Sequence, residues 1–258
     1  MFDCKLPHRR QHMKLKRRFM LAVMIAASMM GVCAQMGLAT SKDAPPDDMP
    51  GRRVGAGVRQ PDNACIGAAQ PQVAIIPMSN LGTTSQAQPT LLFYIPAINS
   101  ERTLEFVLRD ENDQEIYDKT VPATDESGII RLDIFGEEAP SLEIGKNYHW
   151  YFSVICNPSD RSQDISSHGW IRRAETGAAV AISSTTDPLD AARSYAEAGL
   201  WLDALAQLDS LRRTQPASLE VARLWEEWLL LPTLDLASIT QAATIPSPFS
   251  PPITNSQN

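Results

Sequence analysis

Between residues 73 and 174 the hydrophobic and polar positions alternate with a period of two, which is the pattern of half-buried β-strands. Turn-forming Pro, Gly, Asn and Asp separate the short apolar runs. The predicted strands are 73–77, 89–97, 103–110, 114–121, 128–134, 148–156 and 168–175. The tetrapeptide "ENDQ" between the third and fourth predicts a hairpin turn. Short strands at this spacing, with no helical stretch between them, predict an antiparallel β-sandwich over residues 63–180.

The strand at 148–156 carries the strongest indication of a sandwich type. Tyr148, Trp150 and every second residue after them share one face, so we expect Trp150 in the core. The segment "LEIGKNYHW" resembles the tyrosine corner of immunoglobulin-like and fibronectin-like sandwiches, in which a Tyr hydroxyl bonds to the backbone upstream. We therefore predict a mainly β fold of this kind. His149 lies within the strand and is interpreted as an ordinary sheet residue.

After Thr186 the pattern changes to that of helices. The segment 187–216 begins with Asp187 as a predicted N-cap and Pro188 at the first helical position. It resembles a single tetratricopeptide repeat through Tyr195, Gly199, Trp201, Ala204, Leu208, Leu211 and Pro216. One repeat cannot bury its own apolar face, so residues 217–230 are expected to close over it. The predicted domain is a C-terminal helical hairpin at 187–240.

The N-terminal residues have the pattern of a secretory signal peptide. A basic segment at 14–18 precedes an apolar run at 19–32, and the small residues Gly37 and Ala39 then occupy the −3 and −1 positions of a cleavage site. The apolar run is short for a membrane span, and an uncleaved anchor is the alternative. We therefore predict a signal peptide over residues 1–39 and a periplasmic or extracellular protein, with no membrane span after its removal.

Charge and composition restrict the functional class. The chain has a net charge of −7, and residues 40–258 alone carry 16 basic and 29 acidic residues. This excess of acidic residues in 40–258 excludes nucleic-acid binding, because binding to phosphate groups needs a basic surface. The segment 40–62 is rich in Pro and Gly and predicts a flexible linker, and 241–258 predicts a disordered tail.

Two cysteines remain after the predicted signal peptide, Cys65 and Cys156. In an oxidising compartment two cysteines predict one disulfide, and a pair of buried free thiols is the alternative. Neither a C-x-x-C motif nor a Cys/His spacing suggests a metal site, and no cofactor is expected.

A polar cluster follows the strand at 148–156. In the first interpretation "NPSDRS" is a turn that Asn157 and Pro158 begin, with an internal ion pair between Arg161 and an Asp. In the second, the inter-strand loop is a recognition surface. Its candidate binding residues are Asp160, Arg161, Asp164, Trp170 and Arg172. An alternative function is hydrolysis of envelope polymers, which requires Asp160, Asp164 and His168 to converge in a cleft.

The helical segment contains several large apolar side chains. We expect that they cannot all be internal to two helices, so some should contact the sandwich or a partner. The candidate partner-docking residues are Trp201, Leu205, Trp225 and Trp228.

The segments named above also resemble a known family. "PTLLFYIP", "LEFVLRDENDQEIYDKTV", "GIIRLDI", the run from Leu142 to Glu175 and "YAEAGLWLDALAQLDSLR" occur in this order in the cyanobacterial domain of unknown function 928. The resemblance covers about residues 52–240, and the run from Cys156 to Trp170 is its most specific part. The motif "SSHGW" departs from the family pattern, so His168 does not match a family position. The resemblance implies an exported cyanobacterial setting and no catalytic residues. The function predicted is a non-catalytic binding or scaffold module of the cell envelope, with an envelope or secreted protein as its partner.

Overall fold

A computed structural model describes residues 48–56, 70–98, 101–134, 139–175 and 187–249. All of them belong to one structural unit, Pro46–Asn258. The predicted signal peptide at 1–39 lies outside the described residues. Within the described ranges, every helix is too short or too polar to cross a membrane.

Nine strands make up the β part of the described residues. They are β1 (Arg52–Ala56), β2 (Val73–Ala74), β3 (Leu81–Thr84), β4 (Thr90–Ile95), β5 (Thr103–Arg109), β6 (Glu115–Pro122), β7 (Gly128–Asp133), β8 (Asn147–Ile155) and β9 (Ile165–Arg173). They form a single sheet in the order β6-β5-β8-β9-β1-β2-β4-β7, and β3 pairs in parallel with β9. The other strand pairs are antiparallel, and the predicted β5–β6 hairpin is present. A mainly antiparallel β fold is thus confirmed, whereas an immunoglobulin-like or fibronectin-like sandwich is not, because the strands form one continuous sheet.

The sheet curls so that β4 faces β8 across an inner core. The ring of Phe93 on β4 stacks on Phe152 of β8 at 4.2 Å and meets Trp150 edge-on at 5.5 Å. These side chains are fully buried, as the alternation of β8 predicted. The hydroxyl of Tyr148 accepts a hydrogen bond from the backbone N–H of Glu143 at 3.0 Å, which confirms the predicted bond to the upstream backbone.

In the described part of the chain after the sheet there are three α-helices: α1 (Pro188–Glu197), α2 (Trp201–Thr214) and α3 (Leu219–Leu230). The carboxylate of Asp187 accepts a hydrogen bond from Leu189 N–H at 2.7 Å, so the predicted N-cap is confirmed. Gly199 turns the chain between α1 and α2 with φ of +75°, a conformation that favours glycine. The helical hairpin is present, but its tetratricopeptide identity is not confirmed.

The helices bury the outer face of β4 and its neighbours in a second core. Leu92 and Tyr94 point away from the inner core and contact this helix-side core, so β4 is buried on both faces. Burial on both faces explains why β4 is a continuous apolar run rather than an alternating one.

The same packing corrects the prediction of a partner-docking helix face. Leu205, Trp225 and Trp228 are 1%, 1% and 5% exposed within the helix-side core. Trp201 is partly buried, with its ring edge-on to Trp228 at 5.8 Å. Leu205, Trp225 and Trp228 are therefore covered by the chain itself and do not form an exposed surface for a partner, whereas Trp201 is only partly covered.

Part of the predicted linker at 40–62 is instead a strand. β1 pairs with β9 and β2, and the guanidinium of Arg53 donates to the backbone oxygen of Ile76 at 3.3 Å. Gly55 lets β1 approach closely, because a Cβ there would lie 2.4 Å from the Gln72 side chain. Backbone pairing and the hydrogen bond of Arg53 hold this strand in place. The prediction of a flexible linker was wrong here because it relied on the lack of large apolar residues.

Part of the predicted tail at 241–258 is also ordered. Ile245 N–H donates to the backbone oxygen of Ile129 on β7 at 3.1 Å, and Phe249 is 1% exposed in the inner core. The ammonium group of Lys119 on β6 donates to the backbone oxygen of Phe249 at 2.5 Å. The segment therefore contacts both β7 and β6, the last and the first strand of the sheet order. Its apolar side chains Ile245 and Phe249 pack in the inner core of the curled sheet.

Candidate recognition surface

One face of β5, β8 and β9 points away from the inner core. Because side chains alternate across a strand, the partly exposed positions of each strand share this face, together with the buried Ser153. The register places them in transverse rows. The rows are Glu105–Ser153–Ser166, Val107–Tyr151–His168, Arg109–His149–Trp170 and Asn147–Arg172. We call this set of residues the outer-face surface.

A chain of three hydrogen-bonded side chains lies at the centre of the outer-face surface. Nε2 of His149 lies 3.0 Å from Nδ1 of His168, and the Tyr151 hydroxyl lies 3.0 Å from Nδ1 of His149. The indole of Trp170 stacks on His149 at 4.2 Å with the two rings 6° from parallel. Both nitrogens and one face of His149 therefore have a partner, which fixes the orientation of its ring.

The surroundings of the two imidazoles favour their neutral forms. Burial, followed by the nearby His168, lowers the pKa of His149 to about 4. Burial and the charge of Arg52 also lower the pKa of His168. An unperturbed imidazole has a pKa of about 6.5, so both rings are neutral at neutral pH. Each can then donate from one ring nitrogen and accept at the other.

The loop between β8 and β9 is the turn that the sequence predicts. The Asn157 side chain accepts a hydrogen bond from Ser159 N–H at 3.0 Å. The carboxylate of Asp160 accepts from the Ser162 hydroxyl at 2.6 Å and from the Gln163 amide at 2.8 Å. These bonds, with Ser162 contributing most, lower the pKa of Asp160. Asp160 thus caps the short 3-10 helix Arg161–Gln163.

The predicted internal ion pair is present at one end of the outer-face surface. The guanidinium of Arg161 binds Glu105 of β5 in a bidentate fashion, at 2.5 and 3.3 Å, and its Nε donates to Asp164. Asp164 also accepts from the backbone N–H of Cys156 at 3.2 Å. Hydrogen bonds to Glu105 and then Asp164 raise the pKa of Arg161. This network ties the loop to β5.

The predicted binding residues fall into two groups. Trp170 and Arg172 lie on the outer-face surface and Arg161 borders it, whereas Asp160 and Asp164 are engaged in the loop. The Trp170 indole N–H donates to the backbone oxygen of Pro50 at 2.7 Å. Nε of Arg172 donates to the Asn147 side chain at 2.7 Å.

Two members of this surface, His149 and Tyr151, were missed as site residues. Their parity already placed them opposite Trp150, on the polar face of the strand. That signal was insufficient alone, because only the pairing of β8 with β9 places His168 beside both of them.

Each residue named for the alternative function, hydrolysis, has a hydrogen-bond partner. Asp160 binds Ser162 and Gln163, Asp164 binds Arg161, and His168 binds His149.

The predicted disulfide stays a prediction. Cys156 is 7% exposed at the end of β8, and Cys65 lies outside the described residues.

The comparisons with known proteins identify a family. A family model described as Domain of Unknown Function (DUF928) matches residues 54–244. No curated protein matches the sequence. The match covers more than half of the 258 residues and includes every residue of the outer-face surface. The chain therefore belongs to the DUF928 family.

Proposed function

We propose that this protein is an exported, non-catalytic binding module of the cell envelope that recognises a protein partner through the outer-face surface. One observation carries the proposal. Trp170, Tyr151 and two arginines, Arg109 and Arg172, are partly exposed on adjacent strands of one sheet face. Tyr, Trp and Arg are the residue types enriched among the energetically dominant positions of protein interfaces.

The rigidity of these side chains supports the same function. Trp170 is held by stacking on His149 and by its hydrogen bond to Pro50, and Tyr151 is held by its hydrogen bond to His149. Ordering a free side chain on binding costs about 0.5–1.5 kcal/mol, so side chains that are already ordered retain more of the contact energy.

Export of the protein, a relationship to immunoglobulin-like sandwiches and a tetratricopeptide-like hairpin are also part of the proposal. The basic segment at 14–18 and the apolar run at 19–32 favour export. The facing aromatic rings of β4 and β8 and the Tyr148 hydrogen bond favour a relationship to immunoglobulin-like sandwiches. The α1–α2 turn at Gly199 favours a tetratricopeptide-like hairpin whose apolar face packs on the sheet instead of a partner.

The test is a pull-down from an envelope extract of the source organism, in the presence of EDTA. Three baits are compared: the unchanged chain, the double variant Trp170→Ala/Arg172→Ala, and a control variant Glu226→Ala/Glu227→Ala on the exposed side of α3. The partner captured by the unchanged chain is then purified, and its affinity for each bait is measured by calorimetry. Truncating a dominant interface residue costs at least about 2 kcal/mol, so we expect the surface variant to bind about 30-fold more weakly or worse.

The control variant should bind as tightly as the unchanged chain. Thermal melts of all three baits verify that affinity is not lost through unfolding. Equal binding by the surface variant and the control variant would move recognition away from the outer-face surface, and failure of the unchanged chain to capture a partner would contradict the binding function.

A further inference from the structure

The geometry of the histidine pair at the centre of the outer-face surface points to a metal site. We propose that His149 and His168 together bind a divalent transition-metal ion, with solvent or a partner group completing the coordination. The proposal goes beyond the proposed function, because binding a metal ion does not require a protein partner.

The first argument is the distance between the two nitrogens. Nε2 of His149 and Nδ1 of His168 are 3.0 Å apart. Two imidazole nitrogens that bind one tetrahedral zinc ion at 2.0–2.1 Å lie about 3.3 Å from each other. Chelation therefore needs the nitrogens to separate by a few tenths of an ångström and both rings to turn, so that the lone pairs that face each other in the hydrogen bond converge on one ion.

The second argument is the protonation state. A metal ion binds the neutral imidazole, and the 3.0 Å contact between Nε2 of His149 and Nδ1 of His168 requires at least one of these nitrogens to carry a lone pair. One proton lies between the two nitrogens in the metal-free pair. On chelation that proton moves to the other nitrogen of the same ring, so both facing lone pairs become available and no proton is lost from the pair.

The third argument is the support that surrounds His149. A metal-binding His generally uses its second ring nitrogen to hold a fixed orientation through a hydrogen bond. The Tyr151 hydroxyl, 3.0 Å from Nδ1, is placed to do this, and the stacked indole of Trp170 holds the ring plane. The two histidines lie on adjacent, paired strands, which is a more rigid scaffold than a loop.

The charges near the histidine pair and the number of its ligands determine which class of metal ion it prefers. Arg52 and Arg109 approach the pair, and Asp113 partly offsets them. Among the described residues, no three or more His, Cys, Asp or Glu side chains are placed to hold one metal ion. Two neutral nitrogen ligands favour Cu²⁺ over Zn²⁺, and they disfavour Mg²⁺ and Ca²⁺, which prefer oxygen.

The test is a titration of the full chain, purified without a histidine tag, with Cu²⁺ and with Zn²⁺ at pH 7. The chain contains four histidines, and the other two, His8 and His12, provide a matched control. We expect one ion per chain, with Cu²⁺ bound more tightly. We expect His149→Gln and His168→Gln each to weaken binding at least tenfold, and His8→Gln/His12→Gln to leave it unchanged. Second-sphere changes alone weaken metal sites by about 10–100-fold, so loss of a ligand should have at least the smaller effect.

A second measurement needs no variant and therefore does not depend on variant folding. Addition of Zn²⁺ to ¹⁵N-labelled unchanged chain should shift the imidazole resonances of His149 Nε2 and His168 Nδ1, while the Cu²⁺ form should show coupling to two nitrogens in electron paramagnetic resonance. Absence of binding, retention of binding in the His149→Gln/His168→Gln double variant, or its loss in His8→Gln/His12→Gln would each overturn the proposal. Because the partner pull-down contains EDTA, failure of the metal site leaves that result unaffected.

Discussion

A buried carboxylate at the start of α2 allows a quantitative test of how the helices are held on the sheet. Asp203 is 7% exposed and accepts three hydrogen bonds from the end of β3 and the residue after it. The donors are Thr84 Oγ1 at 2.5 Å, Ser85 N–H at 2.7 Å and Ser85 Oγ at 2.6 Å. We predict that Asp203→Ala strongly destabilises the fold.

The expected magnitude follows from what each donor loses. The hydroxyls of Thr84 and Ser85 can rotate, so each loses about 1 kcal/mol, the net value of an ordinary hydrogen bond. The backbone N–H of Ser85 cannot move and becomes a buried, unsatisfied donor, which costs about 1–3 kcal/mol. Together the free energy of unfolding should fall by about 3–5 kcal/mol. Asp203→Asn retains an acceptor and should cost less than half as much.

The assay is urea unfolding followed by circular dichroism, with Asp190→Ala as the control. Asp190 also lies in the first turn of a helix, but its side chain is 61% exposed and pairs only with Arg193. Exposed pairs contribute about 0–1 kcal/mol, so the control should unfold nearly as the unchanged chain does. A loss below 1 kcal/mol for Asp203→Ala, or an equal loss for the control, would refute the reasoning.

Three further predictions concern other parts of the chain. Burial and His168 lower the pKa of His149 from 6.5 to about 4, so the contribution of the neutral ring to stability is complete above pH 6.5 and is lost as the pH falls toward 4. After discounting for partial exposure, we expect the free energy of unfolding to fall by about 1–2 kcal/mol over this range. The variant His149→Gln should flatten this part of the stability–pH curve. Phe249→Ala removes a ring that is 1% exposed in the inner core and should lower the free energy of urea unfolding by about 3–5 kcal/mol, whereas a truly disordered tail would show no change. The variant Arg161→Ala leaves Glu105 and the largely buried Asp164 without their cation, so the free energy of urea unfolding should fall by about 1–2 kcal/mol. Salt screens ion pairs, so the difference between the variant and the unchanged chain should shrink as salt is raised to about 1 M. A difference that does not shrink would contradict an ionic origin.

Local features of the fold could be predicted because they depend on neighbouring residues. The alternation along β8 correctly placed Trp150 and Phe152 in the core, since a strand shows its side chains to opposite faces in turn. The cap at Asp187 and the turn around Asp160 were predictable for the same reason, because each side chain bonds to amides within three residues.

The centre of the outer-face surface could not be predicted in the same way. His149 and His168 are 19 residues apart, and only the register of β8 against β9 brings their nitrogens to 3.0 Å. A shift of that register by one residue would move one of the two histidines to the opposite face. The alternating burial of both strands excludes a shift by one residue, but a shift by two residues would preserve the alternation and still separate the two histidines, so periodicity alone does not fix their contact.

The sequence by itself thus determined most of the strand and helix segments, the face that the alternating strands turn inward and the helix cap at Asp187. Only the tertiary structure decided what covers those faces. The helices cover β4, β1 pairs with remote strands although it has few apolar residues, and the segment ending at Phe249 fills the open side of the curled sheet. The physical reason is that these contacts depend on backbone hydrogen bonds and on the fit between distant segments. Neither produces a repeating pattern of hydrophobic and polar residues from which it could be predicted.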